Sequence, residues 1–274
     1  MTSIDTKRLE STDYEHPLDR EALKALRKIP GIDKVAAAYL EFLTKINIKV
    51  ELLGNDLLIT PKTSPRIHRL KQIAMKRLDI KQDYPVYQHL EWDYNAFAIG
   101  AKEPVIMLNS SVVQDLSDTE LLYVIGHEMG HIKSGHVLYR AMTQWILDGM
   151  SVFLSNFVTA GLRLALYEWS RKSELTADRA GLLACDDLDA CLLAEAKLMG
   201  MPTDTTWFTP SQESVVEQAQ GFDFNDFELP GKIAYFFLTL DRTHPWGALR
   251  IRELQKWVQT AQYHDLKKLV STFD

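Results

Sequence analysis

A chain of 274 residues with 46% hydrophobic and 25% charged residues can bury a core in one domain or two small ones, which excludes wholesale disorder. The net charge of -6, without a basic stripe, excludes a dedicated nucleic-acid binder. Two cysteines, Cys185 and Cys191, are too few for a disulfide framework and fit a reducing compartment. Their spacing is not that of a zinc-thiolate pair, so both are expected as small core hydrophobes.

Residues 1–17 are polar, with no apolar run of the kind a signal peptide needs, and are expected to form a tail before a single domain at 18–274. Helical periodicity covers 18–47, broken at Pro30-Gly31. The stretch "IKVELLGNDLLIT" alternates apolar and polar residues around Gly54-Asn55-Asp56 and predicts a hairpin. An amphipathic helix is expected over 64–79, then short strands at 86–91, 95–99 and 104–108. Ser117-Asp118-Thr119-Glu120 is a capping-box pattern, which starts a helix at residue 118. Further helices are expected at about 161–182, 187–199 and 246–267, with a long polar loop over 202–231. The fold class is α+β, mostly helical, with a small sheet.

The helix opening at Asp118 carries His127, Glu128 and His131. Residues four apart on a helix lie about 40° apart around its axis, so both imidazoles project to one side. Glu128 is about 100° round from His127, placed to reach a water on a metal rather than to bind the metal itself. Two histidines do not hold a catalytic zinc, and a third protein ligand is needed. His136 fails the metzincin spacing, which would put glycine at 134 and histidine at 137, where Ser134 and Val137 stand. It is expected instead as a helix cap or surface residue beside Gly135. Cys185 has nothing to recommend it as a ligand. Glu174 is the best candidate, because Glu174 and Asp178 sit four apart on a second helix. One carboxylate can ligate while the other accepts a hydrogen bond from a ligand imidazole.

The segments "GHEMGHIKSGH", "SRKSELTADRAG" and "THPWGALRIREL", preceded by "NAFAIG", resemble the HtpX and type I CAAX prenyl protease family of gluzincin metallopeptidases. The motifs run in the expected order from residue 95 to about 254, within a catalytic core at about 85–260. The resemblance implies a zincin-like domain with two metal-bearing helices and one Zn2+ per chain, held by His127, His131 and Glu174. It implies an endopeptidase acting on unfolded or extended polypeptide through a zinc-activated water, with Glu128 as general base and His244 stabilising the oxyanion. Asp178 and Arg250 would support the ligands and the His244 segment, while Asn95, Ala96 and Phe97 would hold substrate by strand addition. An alternative is a zinc-bound interaction or chaperone-like protein with little hydrolytic activity. Glu128 favours the enzyme, since structural zinc has no use for it and more often takes four protein ligands.

Membrane-integral members of that family carry spanning helices around the motif. Residues 142–161 here are only semi-apolar. Asp148 alone costs about 2.5–3.5 kcal/mol near a helix centre, against about 0.3–0.6 gained per Ile, Leu, Val or Phe. The segment is therefore expected to be buried or interfacial rather than spanning. The chain resembles a soluble, minimal member, expected in the cytoplasm and at most peripheral to a membrane.

Overall fold

The computed structural model describes residues 8–45, 48–100, 103–147, 160–201, 212–221, 228 and 246–273. The N-terminal helices are α1 (Ser11–Tyr14), α2 (Pro17–Leu26), α3 (Ile32–Lys45) and α4 (Ile48–Asn55). Strand β1 (Leu57–Leu58) and helix α5 (Pro65–Arg77) follow, then β2 (Val86–His89), β3 (Ala96–Ile99) and β4 (Val105–Asn109). The next elements are α6 (Ser110–Asp115), α7 (Asp118–Lys133), α8 (Val137–Leu147), α9 (Ala160–Cys185) and α10 (Leu188–Leu198). Helices α11 (Gln212–Gln220), α12 (Gly247–Trp257) and α13 (Ala261–Ser271) complete the described elements. The α+β, mostly helical expectation holds.

The sheet has the order β1-β2-β4-β3, with β2 and β4 parallel and both outer strands antiparallel to their neighbours. Among the described residues β3 is thus an edge strand, and it packs against α7 and α8. Helix α7 is buried along almost its whole length, from Glu120 to Ile132, because the sheet side and α9 cover it together. Its main partner, α9, is 26 residues long, about 39 Å at 1.5 Å per residue.

The α7–α9 contact depends on small residues. A Cβ at Gly126 would sit closer than 3.0 Å to the Ala184 Cβ, one at Gly130 equally close to that of Ala180, and one at Gly181 against the Tyr123 ring. Gly126 and Gly130 are four apart and each immediately precedes a histidine of the motif. Close backbone approach and the placing of the two imidazoles are therefore set by the same two turns of helix.

Four expectations are corrected. The segment 48–58 is no hairpin: Ile48–Asn55 form α4, and β1 pairs with the distant β2. The expected N-terminal tail is partly built into the fold, since Ser11–Tyr14 are helical and Leu9 and Tyr14 are fully buried. Within the expected loop 202–231, Gln212–Gln220 form α11, and most of its remaining residues lie outside the described ones. The helix expected over 246–267 is two, because Thr260 caps a new one by accepting from the Tyr263 N–H at 3.3 Å. Cys185 and Cys191 are free and buried, as expected of core thiols.

Candidate metal centre

Helix α7 starts at the capping box. The Ser117 N–H donates to Glu120 Oε2 at 2.7 Å, and the Glu120 N–H donates to Ser117 Oγ at 3.3 Å. Three turns on, His127 and His131 face α9, where Glu174 meets them. The ligand atoms of His127, His131 and Glu174 lie within 4.8 Å of one another, and all three residues are buried. The two Nε2 atoms are 3.1 Å apart, and each is 3.4 Å from an oxygen of Glu174. One face of this cluster is therefore made of two imidazole Nε2 atoms and one carboxylate.

The Nδ1 atoms point outward, and each has a partner. The His127 Nδ1–H donates to Asp178 Oδ1 at 2.9 Å. Asp178 is held in turn by Arg250, whose Nε and Nη2 reach its two oxygens at 2.9 and 2.5 Å. Burial pushes the Asp178 carboxyl up, but the charge and hydrogen bonds of Arg250, with the bond from His127, outweigh it and hold Asp178 far below the usual carboxylate range. Asp178 and Arg250 thus both lie beside the His127–His131–Glu174 cluster.

That network is larger than expected. The Arg250 Nη2 also lies 2.8 Å from Glu195 Oε1 on α10, and the Tyr123 hydroxyl lies 2.8 Å from Glu195 and 3.0 Å from Asp178. Glu195 is raised by its burial, which Arg250 only partly offsets. Tyr123 and Glu195 carried no signal in the sequence, because each looks like an ordinary helix residue.

On the other side, His136 is not a surface residue. Gly135 has φ +70, the Gly135 N–H donates to the Ile132 carbonyl and the His136 N–H to the His131 carbonyl. This is a Schellman turn, with glycine in its left-handed position. It folds the His136 ring back onto the last turn of α7, where its Nδ1 lies 3.0 Å from His131 Nδ1. The expectation that His136 caps or decorates the helix end is corrected: it is buried against a member of the cluster.

Glu128 lies at the inner wall and burial raises its carboxyl, opposed chiefly by His127 and then Arg140. The Ala98 N–H of β3 donates to it, while its Oε2 is buried with no hydrogen-bond partner among the described residues. Arg140 of α8 contacts Glu174 Oε1. A buried acceptor without a donor, beside two imidazoles and a carboxylate facing a common point, fits a bound divalent cation with a polar ligand at Glu128.

Asn95 directs its carbonyl to β4, accepting from the Asn109 N–H at 3.1 Å. Backbone direction alternates along a strand, so Asn95 and Phe97 face β4 while Ala96 and Ala98 face the edge that no strand covers among the described residues. His244 lies outside the described residues. Of residues 142–161, the segment expected to be buried or interfacial, 148–159 lie outside them as well. Among the described residues, no helix is long and apolar enough to cross a membrane.

A two-helix zincin-like site of this kind defines a class, the metallopeptidases, and comparison with known proteins places the chain in it. Residues 61–258 match peptidase family M48, and the chain belongs to that family. It is 28% identical over 266 residues to the plastoglobule-localized metallopeptidase 48, chloroplastic, of Arabidopsis thaliana, covering 96% of this chain and 77% of that protein. It is 24% identical over 98 residues to the protease HtpX of Buchnera aphidicola subsp. Schizaphis graminum, 35% of this chain and 33% of that one. With the HtpX of Yersinia pestis it shares 20% over 146 residues, 52% and 49% of the two chains. The chain thus matches about half or less of the HtpX proteases' length. No solved structure matches.

Proposed function

We propose that this metallopeptidase is a zinc-dependent endopeptidase that cleaves unfolded or extended polypeptide. His127, His131 and Glu174 hold the metal, and Glu128 is the general base. The observation that carries this reading is the buried His127–His131–Glu174 cluster with the unpartnered Glu128 oxygen beside it, next to the open edge of β3.

When bound there, zinc would polarise the scissile carbonyl and lower the pKa of a water from 15.7 to about 7. The rest is done by the chain. The outward edge of β3, through Ala96 and Ala98, aligns the substrate backbone as an added strand across α7. Glu128 takes the proton of the attacking water and returns it to the leaving amine nitrogen. Its burial keeps bulk water from competing for that proton. Asp178, fixed by Arg250, keeps His127 in the tautomer whose Nε2 carries the lone pair. His244 is assigned to the oxyanion on the family resemblance, a role worth roughly 3–4 kcal/mol where a comparable donor has been removed.

The test compares wild type with Glu128→Gln, both zinc-loaded, for cleavage of unfolded casein and for self-cleavage. Loss of about 10²–10⁴ in rate with zinc retained is the expected result. Equal activity of the two proteins would overturn the hydrolytic mechanism and favour the binding-protein alternative.

A further inference from the structure

We propose that Asp19 and His136 form a hydrogen-bonded relay that positions His131 as a metal ligand, so that helix α2 is part of the catalytic apparatus. The inference rests on the reading of His131 as a zinc ligand and extends it to residues outside the motif.

The chain of contacts is continuous and buried. His131 Nδ1 lies 3.0 Å from His136 Nδ1, and His136 Nε2 lies 3.1 Å from Asp19 Oδ2. All three side chains are within 1% of complete burial. The tautomers follow from the partners. With Nε2 of His131 facing the metal cluster, its proton sits on Nδ1 and is donated to His136 Nδ1. The His136 proton is then on Nε2 and is donated to the Asp19 carboxylate. Each ligand imidazole thus donates outward, His127 directly to Asp178 and His131 through His136 to Asp19.

Asp19 is built to end such a chain. The Trp169 Nε1–H donates to its Oδ1 at 3.0 Å and the Thr176 hydroxyl to its Oδ2 at 2.6 Å, both from α9. Thr176 lies two residues after Glu174 and also accepts from the His16 N–H at 3.0 Å, which pins the start of α2 to the helix carrying that ligand. The Trp169 ring packs edge-on against His136, with centroids 5.6 Å apart, and restricts its rotation. Asp19 precedes the segment 61–258 that matches the family, so this support for the motif comes from the N-terminal part of the chain.

The consequence is a positioning role. A hydrogen-bonded outer partner fixes the ring of a ligand histidine and raises its basicity, and losing one typically costs about 10–100-fold in metal affinity. Zinc affinity is measured by competition with a chromophoric chelator on folded protein, and ligand geometry by the visible spectrum of the Co2+-loaded form. His136→Leu removes the acceptor, Asp19→Asn weakens the end of the chain, and His136→Gln keeps one acceptor and one donor. The expected result is about 10–100-fold weaker zinc for His136→Leu, a smaller loss for Asp19→Asn and an altered Co2+ spectrum in both, with His136→Gln recovering most of the affinity.

Wild-type affinity in folded His136→Leu overturns the proposal. Should that variant not fold, wild-type affinity in Asp19→Asn overturns it equally. It is also overturned if His136→Gln binds as weakly as His136→Leu, since ring bulk rather than hydrogen bonding would then be the cause. Failure of the underlying reading looks different: wild type itself would bind no zinc, or His127→Ala would bind as tightly as wild type.

Discussion

Arg250 grips both oxygens of Asp178, through Nε at 2.9 Å and Nη2 at 2.5 Å, and the same Nη2 reaches Glu195 at 2.8 Å. One buried cation therefore compensates two buried carboxylates directly behind His127. Removing one partner of a buried ion pair costs about 3–5 kcal/mol, because the remaining charge is stranded. Arg250→Met is expected to lose at least that much, read as the denaturant midpoint at constant m-value. Replacing Glu195 by Gln as well should recover part of the loss. A double variant no more stable than Arg250→Met alone would show that Glu195 is not compensated by Arg250.

A second prediction concerns helix register. Gly126→Ala and Gly130→Ala would each force a methyl group onto Ala184 or Ala180 across the α7–α9 contact. Overpacking of this kind costs about 1–3 kcal/mol, and here the strain is relieved by parting the helices that carry His127, His131 and Glu174. Both variants should lose thermal stability and weaken zinc together. Stability loss without any change in zinc affinity would separate the packing from the site.

That His127 and His131 share a face was legible because helical spacing fixes which side chains of one helix point together, and Glu174 joins them from a second helix. The capping box at Ser117 was legible because its chemistry is local. Segment 48–58 was misread because Ile48, Val50 and Leu52 alternate like a strand, while Leu52 packs on Tyr87 and Met107 from a helix. Over eight residues the two periods cannot be told apart. His136 had the right neighbours in sequence, with Gly135 beside it, but its role depends on Asp19, which only tertiary structure brings to it. Tyr123 and Glu195 were invisible for the same reason.

Metal removal should be felt by the whole fold, because the cluster joins α7 to α9. A ligand present at 100 times its Kd stabilises the native state by about 2.7 kcal/mol. Chelation is expected to lower the Tm by roughly 5–10 °C, at about 2–4 °C per kcal/mol for a domain of this size. Glu174→Gln should show little of this shift on zinc addition. Identical zinc-dependent stabilisation of wild type and Glu174→Gln would remove Glu174 from the ligand set.

The edge of β3 gives a prediction about substrate. The Ala98 N–H points away from β4, so proline there removes no hydrogen bond within the sheet, a position where strands tolerate it. Ala98→Pro is expected to fold and bind zinc normally but to lose about tenfold or more in kcat/KM toward unfolded casein, since the N–H that holds Glu128 at the strand edge disappears and the proline ring stands where an added strand would lie. Unchanged kcat/KM would rule out strand addition at this edge. Phe97→Pro, whose N–H faces β4, should instead destabilise the sheet.

Acid stability supplies the last prediction. The His16 Nδ1 accepts from the Leu18 N–H at 3.2 Å, so its proton is on Nε2, 3.4 Å from the partly buried Glu253. That hydrogen bond, against some opposition from burial and with help from Lys256, lowers the Glu253 carboxyl to about 2. A carboxyl whose folded pKa lies below its unfolded value of about 4.3 stabilises the fold fully above that value. The contribution fades as pH falls toward 2. Glu253→Gln should therefore be less stable than wild type at pH 7 by about 1–2 kcal/mol, a discount on the full shift because the pair is partly solvated. The gap should close between pH 4.3 and 2, as unfolding curves at matched ionic strength will show. A gap that stays constant down to pH 2 would mean that Glu253 stabilises by packing rather than by charge.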